Sequence, residues 1–509
     1  MKRVPGLFAL ATLLAALAIN ESVPARAAEA APFDFAALRA RAKALAAAPH
    51  VPRTGEVPEW LRKLTYDELR LIEFDGNASL WKRERLPFEV QFLHPGFLYD
   101  QTVRVTELRG GRAEPVPFRR EHFNYRAIRA GDMPAAMGFA GFRVMFPLDG
   151  PAGAPKETGS FLGASYFRFL CAGAGYGLSA RGLALDTATA APEEFPMFTE
   201  FWLERPEPGA KHLSLLALME SESVAGAYRF TITPGASTVT QVKAAIYRRK
   251  NSAVLGLAPL TSMFWRGENS NALLEDYRPE VHDSDGLLVH NGRGEWIWRP
   301  LENPRHVRTA TFGDENPRGF GLLQRDRNFE NYQDLEAAYH ARPSAWVEPV
   351  GNWGRGGVRL IELPTKDEFN DNIVVFWTPE KLPPPGEPIE AEYRLHWSLD
   401  SIRPPAGFVR ATRHGKSAYY EPGLGRFVID FDGAPLQGLG AGAKIEHVLS
   451  VGDGAKLNHS ALQKNPINGT WRVAFTLKPD GSGRPVELRC FLRGPAQALT
   501  ETWSYLWQP

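Results

Sequence analysis

Acids, aromatics and arginines are interleaved with glycines and prolines between Arg278 and Trp377, and no long amphipathic pattern interrupts them. The stretch opens with Arg-Pro-Glu-Val-His-Asp-Ser-Asp-Gly (278–286) and passes through Gly-Glu-Trp-Ile-Trp-Arg-Pro (294–300). It continues through Gly-Phe-Gly-Leu-Leu-Gln-Arg-Asp-Arg (319–327) and Arg-Pro-Ser-Ala-Trp-Val (342–347), and closes on Asn-Asp-Asn-Ile-Val (370–374). Carboxylates that move protons, ring faces that stack on pyranoses, and arginines and amides that bind hydroxyls are the groups a carbohydrate site needs.

Two of the aspartates sit in polar segments that also read as ordinary turns. Asp371 lies between Asn370 and Asn372 and abuts the apolar run Ile-Val-Val-Phe-Trp (373–377). Burial beside such a run raises a carboxyl pKa toward the value an acid catalyst requires. The competing reading is an Asx-turn leading into a strand. Asp283 sits in His-Asp-Ser-Asp-Gly, which also reads as a turn, because Asp285-Gly286 is a strong turn dipeptide. Asp285 is therefore expected to be structural or supporting. His282 either orients Asp283, touching substrate, or is a satisfied structural histidine.

Trp296, Trp298, Trp346 and Trp353 are stacking candidates. Trp296 and Trp298 are two apart and so share one strand face. One tryptophan of such a pair is usually core, so about half of the four are expected on substrate. Tyr339 is a candidate hydroxyl donor, and Arg325, Arg327 and Arg342 are candidates for sugar hydroxyls, with packing and ion pairs as the alternatives. Tyr166 and Arg168 alternate on a strand that could line the same groove. No metal or cofactor is expected. The spacing around Asp283 fails as a calcium loop, and there is no zinc-type Cys/His cluster, Walker motif or dinucleotide glycine pattern.

The elements that must position these residues are strands. Residues 35–47 read as a short amphipathic helix with Asp34 as N-cap, 66–72 as a second helical piece and 332–340 as a helical turn. From about residue 89 onward, short alternating runs are divided by Gly, Pro and Asn turns. That grammar predicts an all-β protein: a large β-sandwich followed by a smaller one. The run Leu-Pro-Pro-Pro-Gly-Glu-Pro (382–388) is taken as the linker, dividing a first domain at 28–381 from a second at 389–509. In the second, Trp471, Val473, Phe475 and Leu477 share one face, as do Val486, Leu488, Cys490 and Leu492. A glycine-rich segment, 413–432, could close over a ligand or be a plain hairpin.

With 59 Lys+Arg against 58 Asp+Glu, the chain lacks the basic field that nucleic acid or an anionic membrane surface demands. Residues 1–27 read as a secretory signal peptide: a basic start, an apolar run over 4–19 that is short for a membrane span, and Ala-Arg-Ala at 25–27. Export to the periplasm follows. Cys171 and Cys490 are expected to be buried free thiols.

Several of these motifs carry a resemblance. Tyr-Gly-Leu-Ser-Ala-Arg-Gly-Leu-Ala (176–184), Glu-Glu-Phe-Pro (193–196), the His-Asp-Ser-Asp-Gly stretch, Gly-Glu-Trp-Ile-Trp-Arg-Pro-Leu and Asn-Asp-Asn-Ile-Val are similar to the periplasmic glucan biosynthesis proteins of types G and D. The resemblance covers essentially the whole mature chain. It implies a galactose-mutarotase-like first sandwich, an immunoglobulin-like second one, and a linear β-1,2-glucan substrate. It further implies inverting endo-β-1,2-glucanase chemistry, with Asp371 as general acid and Asp283 as general base acting through a relay of water and substrate hydroxyl. Transglycosylation and a non-catalytic glucan-binding scaffold are the alternatives. A second copy of the chain and an inner-membrane glucan synthase stay open as partners. Type D proteins usually carry a twin-arginine signal, which is absent here, so the subtype leans toward G without being fixed.

Overall fold

The computed structural model describes residues 33–134, 137–150, 153–252, 254–270, 275–400, 402–416 and 423–509. The expected signal peptide at 1–27 and the tip of the 413–432 segment lie outside the described residues. No described helix is long and apolar enough to cross a membrane.

The helix Phe35–Ala46 forms where expected, and the Asp34 carboxylate accepts the Ala37 N–H at 2.9 Å. Almost everything after it is strand. A ten-stranded and a fourteen-stranded antiparallel-rich sheet enclose the larger core, and Phe142 and Phe161 of the one meet Phe201 and Phe230 of the other. A four-stranded sheet, built from Phe408–Lys416, Gly425–Asp432, Trp471–Pro479 and Ala455–Lys464, covers one end of the same fourteen-stranded sheet and encloses the smaller core. The chain is all-β, in two sandwiches that share a sheet.

Sharing the sheet follows from the two-residue period of a strand. In Gly286–His290, Leu287 and Val289 face the large core while Leu288 faces the small one. Phe320 and Leu322 against Leu323, and Ala345 and Val347 against Trp346, repeat the division on the next two strands. Strands buried on both faces read as continuous apolar runs.

The sheet moves the expected boundary. Pro388–Ser398 follows the proline run yet pairs residue for residue with 237–247 in the fourteen-stranded sheet. Its Ile389, Ala391, Tyr393, Leu395 and Trp397 belong to the large core. The run at 382–388 is thus a turn inside the first sandwich, pinned by Arg248, which donates to the Pro383 carbonyl. The crossing into the second core comes after Ser398. Proline is excluded from central ladders but not from the connection between two strands.

Two further expectations are settled locally. Residues 332–340 are not one helical turn: Gln333 and Ala338 have φ of 57° and 45°, and Asp334 accepts the N–H groups of Glu336 and Ala337, leaving only a short 3-10 turn at Tyr339–Ala341. Cys171 and Cys490 are both buried and free.

Arg325 and Glu501 join the two sandwiches. Arg325 donates to both Glu501 oxygens at 2.6 and 3.0 Å and to the Val409 carbonyl at 3.0 Å, and it lies 3.6 Å from the centre of the Trp298 ring. Its guanidinium is occupied by structure, not by a ligand. Arg325→Met would leave Glu501 buried without its cation, and a loss of about 3–5 kcal/mol is expected, read as a lower urea midpoint.

Candidate active site

Both candidate aspartates are carried by one dipeptide. Val281–His282 pairs with Phe264–Arg266, and the Asp283 N–H donates to the Met263 carbonyl at 2.8 Å. On the other side, Asn372 accepts the Phe264 N–H at 2.8 Å and donates to the Phe264 and Leu363 carbonyls at 3.0 and 2.9 Å. Asn372 is the first buried residue before the strand Ile373–Pro379, so it fixes Asp371 immediately before it. Ser262 and Ser284 add a buried hydroxyl–hydroxyl bond of 2.9 Å. The chain thereby holds two residues 88 positions apart in sequence against the single segment 262–264.

The carboxyls differ in access. Asp283 is only 4% exposed and ion-pairs with Arg342. Burial raises its pKa to about 6; Arg342 opposes that rise, and the charge of Asp371 adds to it. Asp371 is open to solvent, yet enough protein surrounds it that desolvation still raises its pKa, against the pull of Arg181, the Thr261 hydroxyl, Arg168 and Arg342. A group both wetted and densely surrounded lies in a cleft. Two carboxyls that feel one another and are both held above the ordinary range are what acid–base chemistry at one centre requires.

Arg342 and Tyr339 belong to this centre. The Arg342 guanidinium lies 4.1 Å from the Tyr339 ring centre and donates to the Ala337 carbonyl at 3.2 Å. Burial pushes the Tyr339 phenol up, so it stays protonated and is able to donate a hydrogen bond. Because Arg342 depresses the Asp283 carboxyl, Arg342→Gln is expected to raise the Asp283 pKa further above about 6; carboxyl carbon NMR titration reads this directly.

His282 is a correction to the expected substrate contacts. It is buried, stacked on Phe264 at 5.2 Å, and hydrogen-bonded on both ring nitrogens. The Gln324 amide nitrogen donates to the His282 and Tyr339 carbonyls, so its oxygen is what faces His282 Nδ1 at 3.0 Å. Nε2 faces the Glu280 carboxylate at 2.9 Å. Both nitrogens must donate, which makes the ring an imidazolium. Burial opposes that charge, but Glu280 and Asp285 overcome it and hold the pKa near about 9. His282 therefore acts on Asp283 electrostatically, from inside. Asp285 accepts the Arg325 and Asp326 N–H groups at 2.5 and 2.8 Å, the supporting role expected of it.

The tryptophans are not brought to the aspartates. Trp296 stacks on His290 at 3.9 Å and on Trp346 at 5.8 Å, and Trp298 and Trp346 are buried in the small core. Trp353 packs against the large core beside Trp377 and Tyr393 and donates to the Glu392 carbonyl at 3.3 Å. The strand face that carries Trp296, Trp298 and Trp346 is the one the second sandwich covers. Arg327, too, is engaged by the His340 and Arg342 carbonyls.

Near Asp371 instead are Tyr166, Arg168 and Arg181. Arg181 pairs with Glu193 at 2.6 Å and lies over the Tyr166 and Phe195 rings at 4.9 and 5.2 Å; Glu193 also accepts the Thr187 hydroxyl at 2.7 Å. Tyr166 in turn feels the charge of Asp371. Arg181 was missed in the sequence, although a charged residue closing the buried strand Ser179–Arg181 is a readable signal. A groove of about 1350 Å³ runs along the edge strand Arg308–Glu315 and is lined by neither aspartate. Among the described residues no group of three or more His, Cys, Asp or Glu could hold a metal ion.

The chain is thus an all-β protein of two sandwiches. Residues 33–507 match the family model described as periplasmic glucan biosynthesis protein, MdoG, and the chain belongs to that family. It is 45% identical to glucans biosynthesis protein G of Ralstonia nicotianae over the full length of both, and 45% identical to that of Sodalis glossinidius over 92% of this chain and 91% of the relative. It is also 44% identical to a probable glucans biosynthesis protein D of Shewanella oneidensis, over 94% of this chain and 89% of the relative.

Proposed function

We propose that this protein is exported to the periplasm and acts there on linear β-1,2-glucan, as an inverting endo-β-1,2-glucanase within periplasmic glucan biosynthesis. The supporting observation is the cleft in which Asp283 and Asp371, both with raised pKa, are tied to the same segment. Asp371, open to solvent, gives its proton to the glycosidic oxygen as the bond to the anomeric carbon breaks. Water attacks that carbon from the opposite face, and the proton it loses ends on Asp283. Asp283 has almost no surface of its own, which suits a base that receives its proton through an intervening hydroxyl. Tyr339 and Arg342 orient that end of the path.

Chain transfer is the second reading, favoured by relatives whose names denote biosynthesis. It uses the same acid and replaces water by a sugar hydroxyl. Product analysis on linear β-1,2-glucan separates the readings. Short products whose new reducing ends are α at early times support hydrolysis with inversion. Lengthened or cyclic products support transfer. Tight binding with no new products by mass spectrometry contradicts both and leaves a scaffold.

A further inference from the structure

Outside the aspartate pair, Arg278 gathers three separate segments. It bonds the Asp276 carboxylate at 2.8 Å, Asp334 at 2.9 Å and Glu368 at 2.6 Å, and lies 6.0 Å from the Trp265 ring centre. Beside each of those acids stands a large apolar residue turned to solvent: Tyr277 at 76% exposure, Leu335 at 83% and Phe369 at 87%. Each sits in a turn locked by a carboxylate. Asp276 accepts the Arg278 N–H at 2.9 Å, Asp334 those of Glu336 and Ala337 at 2.9 and 2.7 Å, and Asp367 the Phe369 N–H at 3.0 Å. One arginine thus presents three apolar side chains on three rigid turns. Contiguous or clustered exposed apolar surface marks binding far more often than scattered single residues do.

The cluster borders the cleft. Phe369 is two residues before Asp371. Tyr339 connects the two sites, since its phenol feels Glu368 and Arg278 on one side and Asp283 and Arg342 on the other. Phe195, half exposed, lies against Arg181, whose charge acts on Asp371.

We infer that Tyr277, Leu335 and Phe369 form a platform on the cleft rim that binds the pyranose faces of a glucan chain extending beyond the cleaved bond. The inference rests on the proposed carbohydrate function and names the surface that measures chain length. A glucan alternates C–H faces with hydroxyl edges. Separate apolar side chains standing on a charged base match that alternation, whereas an interface between copies of this chain would favour one closed apolar surface.

The test is binding of linear β-1,2-glucans of increasing length to the Asp371→Asn protein, with and without Tyr277→Ser, Leu335→Ser and Phe369→Ser together. All three side chains are exposed, so the fold does not depend on them. Ile467→Ser, at a residue 92% exposed in the second sandwich, is the control. The platform predicts that Kd tightens with length, that the triple variant weakens the longest glucans by roughly tenfold, and that the control changes nothing. An identical length dependence in both proteins would overturn the platform and leave the proposed function standing. An unchanged Kd, together with a shift from dimer to monomer in sedimentation, would reassign the patch to self-association and overturn it as well. Binding of no β-1,2-glucan at any length by either protein would overturn the platform and the proposed function together.

Discussion

Asp371→Asn is expected to lower kcat on linear β-1,2-glucan by about 10²–10⁴-fold while leaving glucan binding within a few-fold of wild type. The amide keeps the shape of the carboxyl but has no proton to give the leaving oxygen. Asp371 is solvent-open and held in place by its neighbour Asn372, so the substitution should not disturb the fold. A drop in kcat with steady affinity is the signature of a group acting only in the transition state. Loss of binding with kcat retained would instead make Asp371 a substrate anchor. Isothermal titration alongside initial rates distinguishes the two.

Asp283→Asn is expected to be comparably damaging, by about 10²–10⁴-fold in kcat, and wild-type kcat/KM should follow a bell against pH with one limb near about 6. The active form has Asp371 protonated and Asp283 ionised. Burial has moved the Asp283 titration up to about 6, so one limb of the bell lies there whichever carboxyl titrates higher. Because Asp371 raises Asp283, replacing Asp371 by Asn should lower the Asp283 pKa, an opposite movement to that of Arg342→Gln. Opposite shifts from the two variants, read by NMR, would show the carboxyls sharing one field. The substitution at Asp283 also leaves Arg342 without its anion, so its stability must be measured beside its rate.

The strand grammar, the Asp34 cap and the buried alternation of Val486, Leu488, Cys490 and Leu492 were all legible, because each depends on residues close in sequence. The two aspartates were singled out by the resemblance rather than by their local sequence, and what the structure adds is that Asp283, Asp371, Tyr339 and Arg342 lie near one another. The tryptophans misled for a definite reason. Period two tells that Trp296 and Trp298 share a face, but not that a second sandwich covers it. The proline run misled because a turn inside a sheet and a linker between domains use the same residues. Arg278 and Gln324 were invisible as site residues, since their roles depend on partners 42 to 90 positions away that only the fold brings near. His282 carried its own clue in Glu280, two residues earlier, just before its strand.

The most direct test of the acid–base pair is a crystal structure of the Asp371→Asn protein soaked with linear β-1,2-glucan. A glycosidic oxygen within hydrogen-bond distance of residue 371, with the far face of its anomeric carbon open toward Asp283 and Arg342, is the predicted result. A glucan lying instead along the edge strand Arg308–Glu315 would contradict it and move the reaction, if any, to that groove.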